Sequence, residues 1–494
     1  MNTNNAIKIN DNDNVVVALR SITAGEEVFG VKAVENIDRG HKMALVDVKE
    51  GENIIKYGYP IGHATKDIKA GQWVHTHNIK TNLSGLLEYS YDPQLKDIPV
   101  TRESEFMGYV RKDGSVGIRN EIWIVNTVGC VNRISEAIAK EANKRFAGRT
   151  DGIFTFTHPF GCSQLGSDLE NTQDFLAGMV RHPNAAGVLV LSLGCENNNL
   201  NEFKKVLDKD GYDEERVKFL ICQEHEDEVE DALAEIEKLV EYAETFKQEP
   251  CPASKLVIGL KCGGSDGLSG ITANPLIGRI SDIMVAHGGT TILSEVPEMF
   301  GAETILMNRC QTPELFKQTV DLINNFKSYF IRYNQEVYEN PSPGNKKGGI
   351  TTLEDKSLGC TQKGGTSNVK GVLDYCEKVH TPGLNLLRGP GNDIVAISGL
   401  MASGCHIILF STGRGTPVGA PVPTVKIATN SELAARKSNW IDWNAGRLVE
   451  DKEMDSYAEE FFQYILDVAS NKIKTKNEIN DYREISIFKD GVTL

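Results

Sequence analysis

Glu121-Ile-Trp-Ile-Val-Asn-Thr-Val128 is a run of apolar and β-branched residues that leads directly into Gly129-Cys130. Two later runs end in the same way. Gly152-Ile-Phe-Thr-Phe-Thr157 leads into His158-Pro-Phe-Gly-Cys162, and Gly187-Val-Leu-Val-Leu-Ser-Leu193 leads into Gly194-Cys195-Glu196. Short β-rich runs that alternate with helical stretches are typical of βα units with a parallel sheet. Because ligands bind at the carboxyl ends of such strands, we expect the three Gly-Cys turns to lie close together.

The side chains at these turns suit a transition metal. Thiolate and imidazole are preferred ligands of Fe(II), of Zn and of iron–sulfur clusters. The alternative is that each cysteine is a small buried hydrophobe without a chemical role. The predicted metal ligands are Cys130, His158, Cys162 and Cys195.

The chain of 494 residues is too long for a single hydrophobic core, and its composition changes along the sequence. Residues 1–92 are β-rich with short turns, and residues 93–105 are a polar linker that contains proline. Residues 106–248 alternate strand and helix and contain the Gly-Cys turns, and residues 251–494 resume that alternation with glycine-rich loops. The predicted fold class is therefore α/β multidomain, with a β-rich N-terminal module followed by two α/β domains with mainly parallel sheets.

Charge and composition narrow the range of partners. A net charge of −15 argues against nucleic acid as a partner but leaves an anionic small molecule open. No apolar run approaches the roughly 20 residues of a membrane span, and the first residues do not resemble a secretion signal, so we expect a cytoplasmic protein. The ten cysteines form no CxxC pair, which favours reduced thiols or metal ligands over disulfides. A homo-oligomer is compatible with this sequence.

Histidines are concentrated in the N-terminal part. Gly62-His63 and Trp73-Val-His75-Thr-His77-Asn78 hold three of the ten histidines. On a strand His75 and His77 would share one face, which suits metal binding or proton transfer; the alternative is a solvated strand face. Glu295, at the end of the run Thr291-Ile-Leu-Ser-Glu295, is a further candidate base. The predicted catalytic residues are His75, His77 and Glu295.

Two glycine-rich loops in the C-terminal part predict substrate binding. Lys261-Cys-Gly-Gly-Ser-Asp-Gly267 follows an apolar strand, and the segment after it opens a helix, an arrangement that suits an anion or a hydroxyl group. It matches neither a Walker A motif nor GxGxxG, and the alternative is a tight βα turn. Ser411-Thr-Gly-Arg-Gly-Thr-Pro417 presents an arginine suited to a bidentate carboxylate contact. The predicted substrate-binding residues are Gly263, Gly264, Ser265, Asp266, Asn274, Thr412 and Arg414, with Lys346 and Lys347 as mobile positive charges of a Pro/Gly loop.

Several long strings together resemble the altronate dehydratase family, a group of sugar-acid hydro-lyases that also includes galactarate dehydratase. The resemblance extends over essentially the full chain. It is carried by Gly108-Tyr-Val-Arg-Lys-Asp-Gly-Ser-Val-Gly-Ile-Arg-Asn120, His158-Pro-Phe-Gly-Cys162, Leu193-Gly-Cys-Glu196, Cys262-Gly-Gly-Ser-Asp266 with Thr272-Ala-Asn-Pro275, Pro341-Ser-Pro-Gly-Asn-Lys-Lys-Gly-Gly349 and Ser411-Thr-Gly-Arg-Gly-Thr-Pro417.

The resemblance implies that the N-terminal part is a SAF domain of the β-clip type. It also implies a divalent metal, typically iron and sometimes manganese, without identifying its ligands. His75-Thr-His77-Asn78 resembles the altronate branch of the family. The implied reaction is the dehydration of D-altronate to 2-dehydro-3-deoxy-D-gluconate in hexuronate breakdown.

The predicted residues suit this chemistry. Loss of the C2 proton needs a base and an electrophile that stabilises the enediolate, and the C3 hydroxyl needs an acid to leave. Three alternatives remain open at this point. One is galactarate or another sugar acid as substrate, the second is an iron–sulfur cluster at Cys130, Cys162 and Cys195, and the third is a sugar-acid-binding protein without turnover.

Overall fold

The N-terminal module is built from short antiparallel strands. The computed structural model describes residues 2–3 and 5–491. The module contains a five-stranded sheet in the order β1-β2-β3-β6-β9, a three-stranded sheet in the order β10-β8-β7 and the pair β4-β5. Its strands are β1 (Asn2–Thr3), β2 (Ala6–Ile7), β3 (Val15–Ala18), β4 (Glu27–Val28), β5 (Val31–Lys32), β6 (Lys42–Ala44), β7 (Asn53–Lys56), β8 (Tyr59–Ala64), β9 (Trp73–Val74) and β10 (Ile79–Lys80).

The second part contains a fully parallel four-stranded sheet in the order β14-β13-β15-β16 and a small antiparallel sheet in the order β12-β11-β17. Every residue of β13 and β15 is buried, which explains their continuous apolar runs. The elements are β11 (Glu105–Val110), β12 (Val116–Gly117), β13 (Glu121–Asn126), α1 (Asn132–Arg145), β14 (Ile153–Thr155), α2 (Gly166–Arg181), β15 (Ala185–Ser192), α3 (Leu200–Asp208), β16 (Val217–Ile221), α4 (Glu228–Ala243) and β17 (Gln248–Pro252).

The C-terminal part is organised around a parallel seven-stranded sheet in the order β20-β21-β19-β18-β22-β23-β24. The strands are β18 (Val257–Cys262), β19 (Thr290–Leu293), β20 (Val369–Leu373), β21 (Gly383–Leu387), β22 (Ile407–Thr412), β23 (Thr424–Ala428) and β24 (Trp443–Asn444). The helices are α5 (Ala273–Ala286), α6 (Glu303–Met307), α7 (Pro313–Arg332), α8 (Pro343–Lys347), α9 (Leu353–Cys360), α10 (Asp393–Ala402), α11 (Ser431–Arg436), α12 (Met454–Ala469) and α13 (Lys476–Ile479).

The architecture confirms the predicted class of a β-rich SAF module followed by two α/β parts with mainly parallel sheets. Residues 81–104 contain no helix or strand, and they lie against the C-terminal part. The backbone amide of Gln94 donates to the Asn308 carbonyl at 2.7 Å, and that of Thr101 donates to the Ala286 carbonyl at 3.0 Å. In the described part of the chain, no helix is both long and apolar enough to cross a bilayer.

The strand order places a topological switch point in the middle of the large sheet. After β18 the chain builds the sheet on one side, through β19, β20 and β21, and it then returns to the other side with β22. The carboxyl ends of β18 and β22 therefore mark the position at which open α/β sheets bind ligands.

Candidate functional site

The two glycine-rich loops of the C-terminal part meet at this switch point. β18 and β22 are parallel neighbours, so the loop after Cys262 and the loop after Thr412 emerge side by side. The Gly264 carbonyl accepts hydrogen bonds from the amides of Gly413 at 3.1 Å and Arg414 at 3.0 Å. The fold thus brings together two loops that are 150 residues apart in the sequence.

Glu295 lies in the crevice just after the neighbouring strand β19. Its carboxylate pairs with the ammonium groups of Lys261 and Lys363, the latter at 2.9 Å, and it accepts the Cys262 amide at 3.0 Å. The side chains of Lys261, Glu295 and Lys363 are almost completely buried. Glu295 has φ of 68°, a left-handed conformation that costs a non-glycine residue about 1–3 kcal/mol. The surrounding ion pairs hold it in place.

A second carboxylate lies beside two thiols. Glu298 Oε2 is 3.2 Å from the sulfur atoms of both Cys262 and Cys360, and the two sulfurs are 3.3 Å apart. The other oxygen of Glu298 pairs with Lys356 at 2.7 Å. Lys363 links the two groups, because its ammonium pairs with Glu295 and is also 2.9 Å from Cys262 Sγ, which contacts Glu298. We call Lys261, Cys262, Glu295, Glu298, Lys356, Cys360 and Lys363 the buried cluster.

The electrostatics of the buried cluster are balanced. The ammonium groups of Lys261, Lys356 and Lys363 face the carboxylates of Glu295, Glu298 and Asp393, the last of which pairs with Lys261 at 2.9 Å. Burial lowers the pKa of Lys363, but the neighbouring Cys262 and Glu295 outweigh burial and raise that pKa well above its ordinary value. Burial raises the pKa of Glu298, but Lys356, Lys261 and Lys363 hold it below its ordinary range.

The surroundings of Cys360 favour the neutral form of its thiol. A hydrogen bond with Cys262, together with burial, raises the pKa of the Cys360 thiol well above its ordinary value. Cys360 is therefore protonated at neutral pH unless a cation replaces its proton.

The glycine loop after β18 lies next to this cluster. A Cβ at Gly263 would lie 2.6 Å from the Asp393 carboxylate, so only glycine fits there. Asp266 is half-buried and accepts hydrogen bonds from Thr429 and Ser269, at 3.0 and 3.1 Å. The first amides before and in α5 are bonded within the loop, since Asn274 N donates to the Ser269 carbonyl at 2.9 Å. Binding of a carboxylate by the Gly263-Gly264 turn stays a prediction.

Other predicted substrate residues nearby are also buried. Ser265 Oγ has no hydrogen-bond partner among the described residues, which leaves a buried hydroxyl able to bind a ligand. Asn274 is bonded to Ser411 Oγ at 2.6 Å and to the Gly359 carbonyl at 3.0 Å. Thr412 Oγ1 accepts the Gly415 amide at 2.9 Å. Asn274 and Thr412 hold the loops in place rather than pointing free groups into the crevice.

The SAF module closes over this site. Lys42 and Lys56 of the module both pair with Asp355 of α9, at 2.8 and 2.9 Å, and all three side chains are buried. Two ammonium groups share one carboxylate, and burial together with Lys56 lowers the pKa of Lys42 to about 8, against the attraction of Asp355. The backbone of Gly40 lies against Gly267, where a Cβ would approach the Gly40 carbonyl to 1.9 Å.

The histidines of the module do not share a strand face. β9 ends at Val74, and His75 and His77 lie in the turn that follows it. His75 is buried and its Nδ1 is 3.4 Å from Thr351 Oγ1, whereas His77 is exposed. The predicted same-face pair is wrong because the strand is too short. Burial, with Lys42 and His41, lowers the pKa of His75 to about 3, so its ring is neutral at pH 7.

A small cavity joins the module to the buried cluster. It is lined by Lys56 and Tyr57 of the module together with Ser265, Lys356 and Cys360 of the C-terminal part. Its volume is about 10 Å³, whereas ligand pockets occupy roughly 300–1,000 Å³. The cavity is therefore too small for a sugar acid in this conformation.

The predicted cationic residues lie at the edge of this site. The Arg414 side chain is exposed, and its guanidinium forms no ion pair or hydrogen bond with the residues that the structure describes. Lys346 and Lys347 belong to α8, which is capped by Ser342, so the mobile loop predicted for them is wrong. Asn345 of the same helix points inward instead, and its amide donates to the Ser265 carbonyl at 2.8 Å.

The three Gly-Cys turns lie at the same edge of the four-stranded sheet, because β14, β13 and β15 are adjacent and parallel. Cys130, Cys162 and Cys195 are exposed free thiols. Both ring nitrogens of His158 are occupied: Nε2 bonds the Asn126 carbonyl at 2.8 Å and Nδ1 accepts the Phe160 amide at 3.2 Å. The expectation that His158 is a metal ligand is therefore not supported by its contacts.

The donor atoms of a single metal ion are found elsewhere. Within the described part of the chain, Cys262, Glu298 and Cys360 are the one group of three or more His, Cys, Asp or Glu ligand atoms within 4.8 Å of one another. The predicted set of Cys130, His158, Cys162 and Cys195 contains no such group, so it does not form a site for one ion as arranged.

Most of the buried cluster escapes sequence reasoning. Lys261 offers a signal, because a lysine at the end of an apolar, fully buried strand needs a partner. Cys360 and Lys363 have no comparable signal, since Cys360 ends helix α9 and Lys363 lies in the turn after it, not at the end of a strand. The sequence likewise gives no signal for the contact of Lys42 and Lys56 with Asp355.

Three protein-family descriptions match the chain in consecutive segments. The altronate/galactarate dehydratase SAF domain matches residues 4–82. The second domain of D-galactarate dehydratase/altronate hydrolase matches residues 108–244, and the C-terminal domain of D-galactarate/altronate dehydratase matches residues 253–493.

Individual relatives are similar over the same length. The altronate dehydratase of Escherichia coli (strain K12) is 55% identical over 497 residues, with 99% of each chain covered. The altronate dehydratase of Bacillus subtilis (strain 168) is 54% identical over 500 residues, again with 99% of each chain covered. The galactarate dehydratase (L-threo-forming) of Escherichia coli (strain K12) is 33% identical, covering 95% of this chain and 93% of that protein.

Proposed function

The chain belongs to the D-galactarate/altronate dehydratase family of sugar-acid dehydratases, and we propose that it dehydrates D-altronate to 2-dehydro-3-deoxy-D-gluconate. In this reaction C2 loses a proton and C3 loses its hydroxyl, which leaves as water. The resulting enol then takes up a proton at C3 and becomes the 2-keto acid. The enzyme must therefore stabilise negative charge at the carboxylate, accept one proton and donate one.

The observation that carries the proposal is the buried cluster at the switch point. Three buried ammonium groups lie there beside two thiols, and a neighbouring hydroxyl, that of Ser265, has no partner among the described residues. Lysines in a site without bulk water stabilise an enediolate more strongly than they would in water. A purely structural ion-pair network would not require two thiols in contact with one carboxylate.

The donor set of Cys262, Glu298 and Cys360 fits a divalent metal. Two thiolates and a carboxylate suit Fe(II), with Mn(II) as the second choice because of the carboxylate. Binding of a divalent cation would displace the proton of the Cys360 thiol. When bound, the metal supplies a Lewis acid for the sugar acid.

The chain itself offers groups for the two proton transfers. Neutral His75 faces the C-terminal part, and its Nε2 has no hydrogen-bond partner among the described residues, so it is able to accept the C2 proton. Lys356 lines the cavity, and its pKa is raised because Glu298 outweighs burial, so it stays protonated and able to donate to the leaving hydroxyl. Glu295 is saturated by two lysines and an amide, which favours a positioning role over the predicted role of base.

The choice of altronate follows the relatives. The two altronate dehydratases are 55% and 54% identical to this chain, against 33% for the galactarate enzyme. Galactarate carries a second carboxylate where altronate ends in a hydroxymethyl group, so the two substrates need different charges at the far end of the site.

Turnover of altronate, galactarate and mannonate, followed by the thiobarbiturate reaction for 2-keto-3-deoxy acids, tests the substrate. We expect altronate to be turned over fastest, with one deuterium incorporated at C3 in D2O. Faster turnover of galactarate, or no keto-deoxy acid from any of the three, would contradict the proposal.

Replacement of a thiol tests the metal. We expect chelation and exposure to air to abolish activity, and Fe(II) with a reductant to restore it. Cys360→Ser should lower the affinity for Fe(II) by at least about 100-fold, as expected for loss of a metal ligand. Cys310→Ser is the matched control, since Cys310 is another buried thiol, bonded to Thr319 Oγ1 at 3.2 Å. Full activity of a metal-free preparation would contradict a metal-dependent mechanism.

A further inference from the structure

The three Gly-Cys turns of the second part have no role in the buried cluster. The protein has ten free cysteines, and seven are buried. The three exposed ones, Cys130, Cys162 and Cys195, all follow adjacent strands of one parallel sheet. Exposed thiols are prone to oxidation, so their confinement to one sheet edge calls for a chemical explanation.

The backbone brings these three turns into contact. The Gly129 amide donates to the Phe160 carbonyl at 2.9 Å, which joins the turn of Cys130 to that of Cys162. The Asn198 amide donates to the Gly161 carbonyl at 2.9 Å, and the Ser163 amide donates to Asn197 Oδ1 at 2.7 Å. These two bonds join the turn of Cys162 to that of Cys195.

Glycine makes this approach possible. A Cβ at Gly161 would lie 2.0 Å from the Thr127 carbonyl, and a Cβ at Gly129 would lie 2.6 Å from the His158 carbonyl. In the pairs Gly129-Cys130 and Gly161-Cys162, the glycine lets two turns meet and the next residue carries a thiol. The strand register aligns two of the cysteines. Asn126 is paired with Leu191, and Cys130 and Cys195 each follow four residues after these partners.

The other polar groups at this edge are already engaged. Glu196 accepts Thr127 Oγ1 and Ser192 Oγ, both at 2.6 Å, as well as the Gly194 amide at 2.7 Å. Both nitrogens of His158 are bonded to the backbone. The thiols are therefore the ligands that remain, and Gln223 Nε2 donates to Cys195 Sγ at 3.5 Å, a contact of the kind that tunes metal-bound sulfur.

Two buried amide oxygens strengthen the case for a ligand. Asn198 Nδ2 donates to the Thr127 carbonyl at 3.0 Å, and Asn126 Nδ2 donates to Ser135 Oγ at 2.9 Å. Their side-chain oxygens are buried without a hydrogen-bond partner in the described part of the chain. Buried polar atoms without a partner are uncommon, and a bound water, an ion or another ligand is the usual explanation.

We propose that Cys130, Cys162 and Cys195 bind an iron–sulfur cluster at the carboxyl edge of the four-stranded sheet. A single ion requires ligand atoms closer together than these, since the described residues form no group within 4.8 Å here. A cluster spreads its iron atoms over several ångströms and accepts thiolates that are farther apart. Three cysteines leave one iron of a four-iron cluster without a protein ligand, free to bind a hydroxyl or carboxylate oxygen. This site shares no residue with the buried cluster, and it stands independently of the proposed substrate.

The experiment is reconstitution of the full-length protein under anaerobic conditions with ferrous iron, sulfide and dithiothreitol, followed by removal of unbound ions. We expect acid-labile sulfide in about a one-to-one ratio to cluster iron, about four of each per chain for a four-iron cluster. We also expect a visible charge-transfer band and, after reduction, a paramagnetic signal. Iron retained without sulfide, or no iron retained at all, would overturn the proposal.

Variants assign the cluster to these residues. Cys130→Ser, Cys162→Ser and Cys195→Ser should each lose the sulfide and the visible band with an unchanged melting temperature, because all three side chains are exposed. Cys222→Ala is the matched control, since Cys222 follows the fourth strand of the same sheet but is packed in the core. The double variant Cys262→Ala/Cys360→Ala should keep the sulfide, which separates this site from the buried cluster. Retention of sulfide in any of the three serine variants would contradict the assignment.

Discussion

At the scale of single residues, burial decides which predicted groups are able to act. Arg414 and His77 are exposed, whereas His75 and Glu295 are buried next to charges. An exposed side chain is free to bind a substrate, and its replacement costs the protein little stability. A buried one is held in a fixed geometry, which proton transfer requires.

Arg414→Lys tests the predicted carboxylate contact. Lysine keeps the charge but loses the planar, two-point hydrogen bond, worth about 1–3 kcal/mol when one partner is charged. We expect KM for altronate to rise about 10-fold, which corresponds to about 1.4 kcal/mol, while the melting temperature stays the same because the side chain is exposed.

The control is Arg436→Lys, an exposed arginine of α11 that pairs only loosely, at 3.8 Å, with Glu432. It should leave both KM and kcat unchanged. An unaltered KM in Arg414→Lys would move the carboxylate contact to the lysines of the buried cluster.

His75→Gln and His77→Gln form a matched pair, separated by two positions in one turn. Because His75 is neutral and faces the C-terminal part, we expect His75→Gln to lower kcat about 100-fold, the lower end of acid–base contributions. His77→Gln should change kcat by no more than a few-fold, since that ring is exposed. Equal effects of the two substitutions in steady-state kinetics would remove His75 from the proton-transfer step.

At the scale of elements, the contact between the SAF module and the C-terminal part depends on backbone atoms that touch without side chains between them. The Gly267 amide donates to the Gly348 carbonyl at 2.7 Å, and the Gly40 carbonyl lies close above both Gly267 and Gly349. Only glycine allows the loop after β18, the segment after α8 and the SAF module to approach one another this closely.

Gly267→Ala should therefore force the module away from the site. The added Cβ would lie 1.9 Å from the Gly40 carbonyl, a contact that only displacement relieves. We expect activity to be lost and residues 84–104 to become sensitive to limited proteolysis, while the secondary structure seen by circular dichroism is kept.

Gly344→Ala is the control, because its Cβ would meet nothing closer than Ser342 Oγ at 3.9 Å and it lies on the neighbouring helix α8. Its activity and its proteolysis pattern should match those of the parent. Normal turnover by Gly267→Ala would show that module closure is dispensable.

At the scale of the whole molecule, buried ion pairs that cross between the parts add to the apolar packing that joins them. Asp355 alone neutralises two lysines of the SAF module. Arg119 of the second part pairs with Glu478 of the C-terminal part at 2.7 Å in the same buried manner. Such pairs fix orientation strongly, because the loss of one member leaves a buried charge without compensation.

Asp355→Asn should destabilise the protein by about 3–5 kcal/mol at pH 7, because Lys42 and Lys56 both remain buried without a counter-charge. Burial raises the pKa of Asp355, but the two lysines outweigh it and hold that pKa well below its ordinary range. The stabilisation is therefore complete above pH of about 4, the ordinary aspartate pKa, and is lost as the pH falls through the lower folded pKa.

Urea unfolding between pH 7 and pH 3 measures this effect, with the midpoint difference between parent and variant shrinking below about pH 4. Asp67→Asn is the control, since Asp67 pairs with Lys49 on the exposed surface of the same module and should leave the midpoint unchanged. A midpoint difference that stays constant down to pH 3 would contradict the role of the Asp355 carboxylate.

Local patterns in the sequence predict the architecture of this protein. The fully buried strands β13, β15 and β18 are continuous apolar runs, and the loops at their ends carry glycine, so the parallel sheets and the position of the crevice follow from residues that are adjacent in the chain. The family resemblance extends this to the reaction class. Hydrophobic periodicity and turn chemistry involve residues only a few positions apart, which is why the sequence alone reveals them.

The composition of the candidate site depends on contacts between residues far apart in the chain. Cys262 and Cys360 are 98 positions apart, and Lys56 lies 299 positions from Asp355, yet each pair is in contact. Buried charges are stabilised only by partners in three dimensions, and nothing in the neighbouring residues signals which partner that is. For the same reason the sequence misplaced the His75 and His77 pair and assigned a single metal ion to His158 and the Gly-Cys turns, whereas tertiary packing placed thiols and a carboxylate together at Cys262, Glu298 and Cys360.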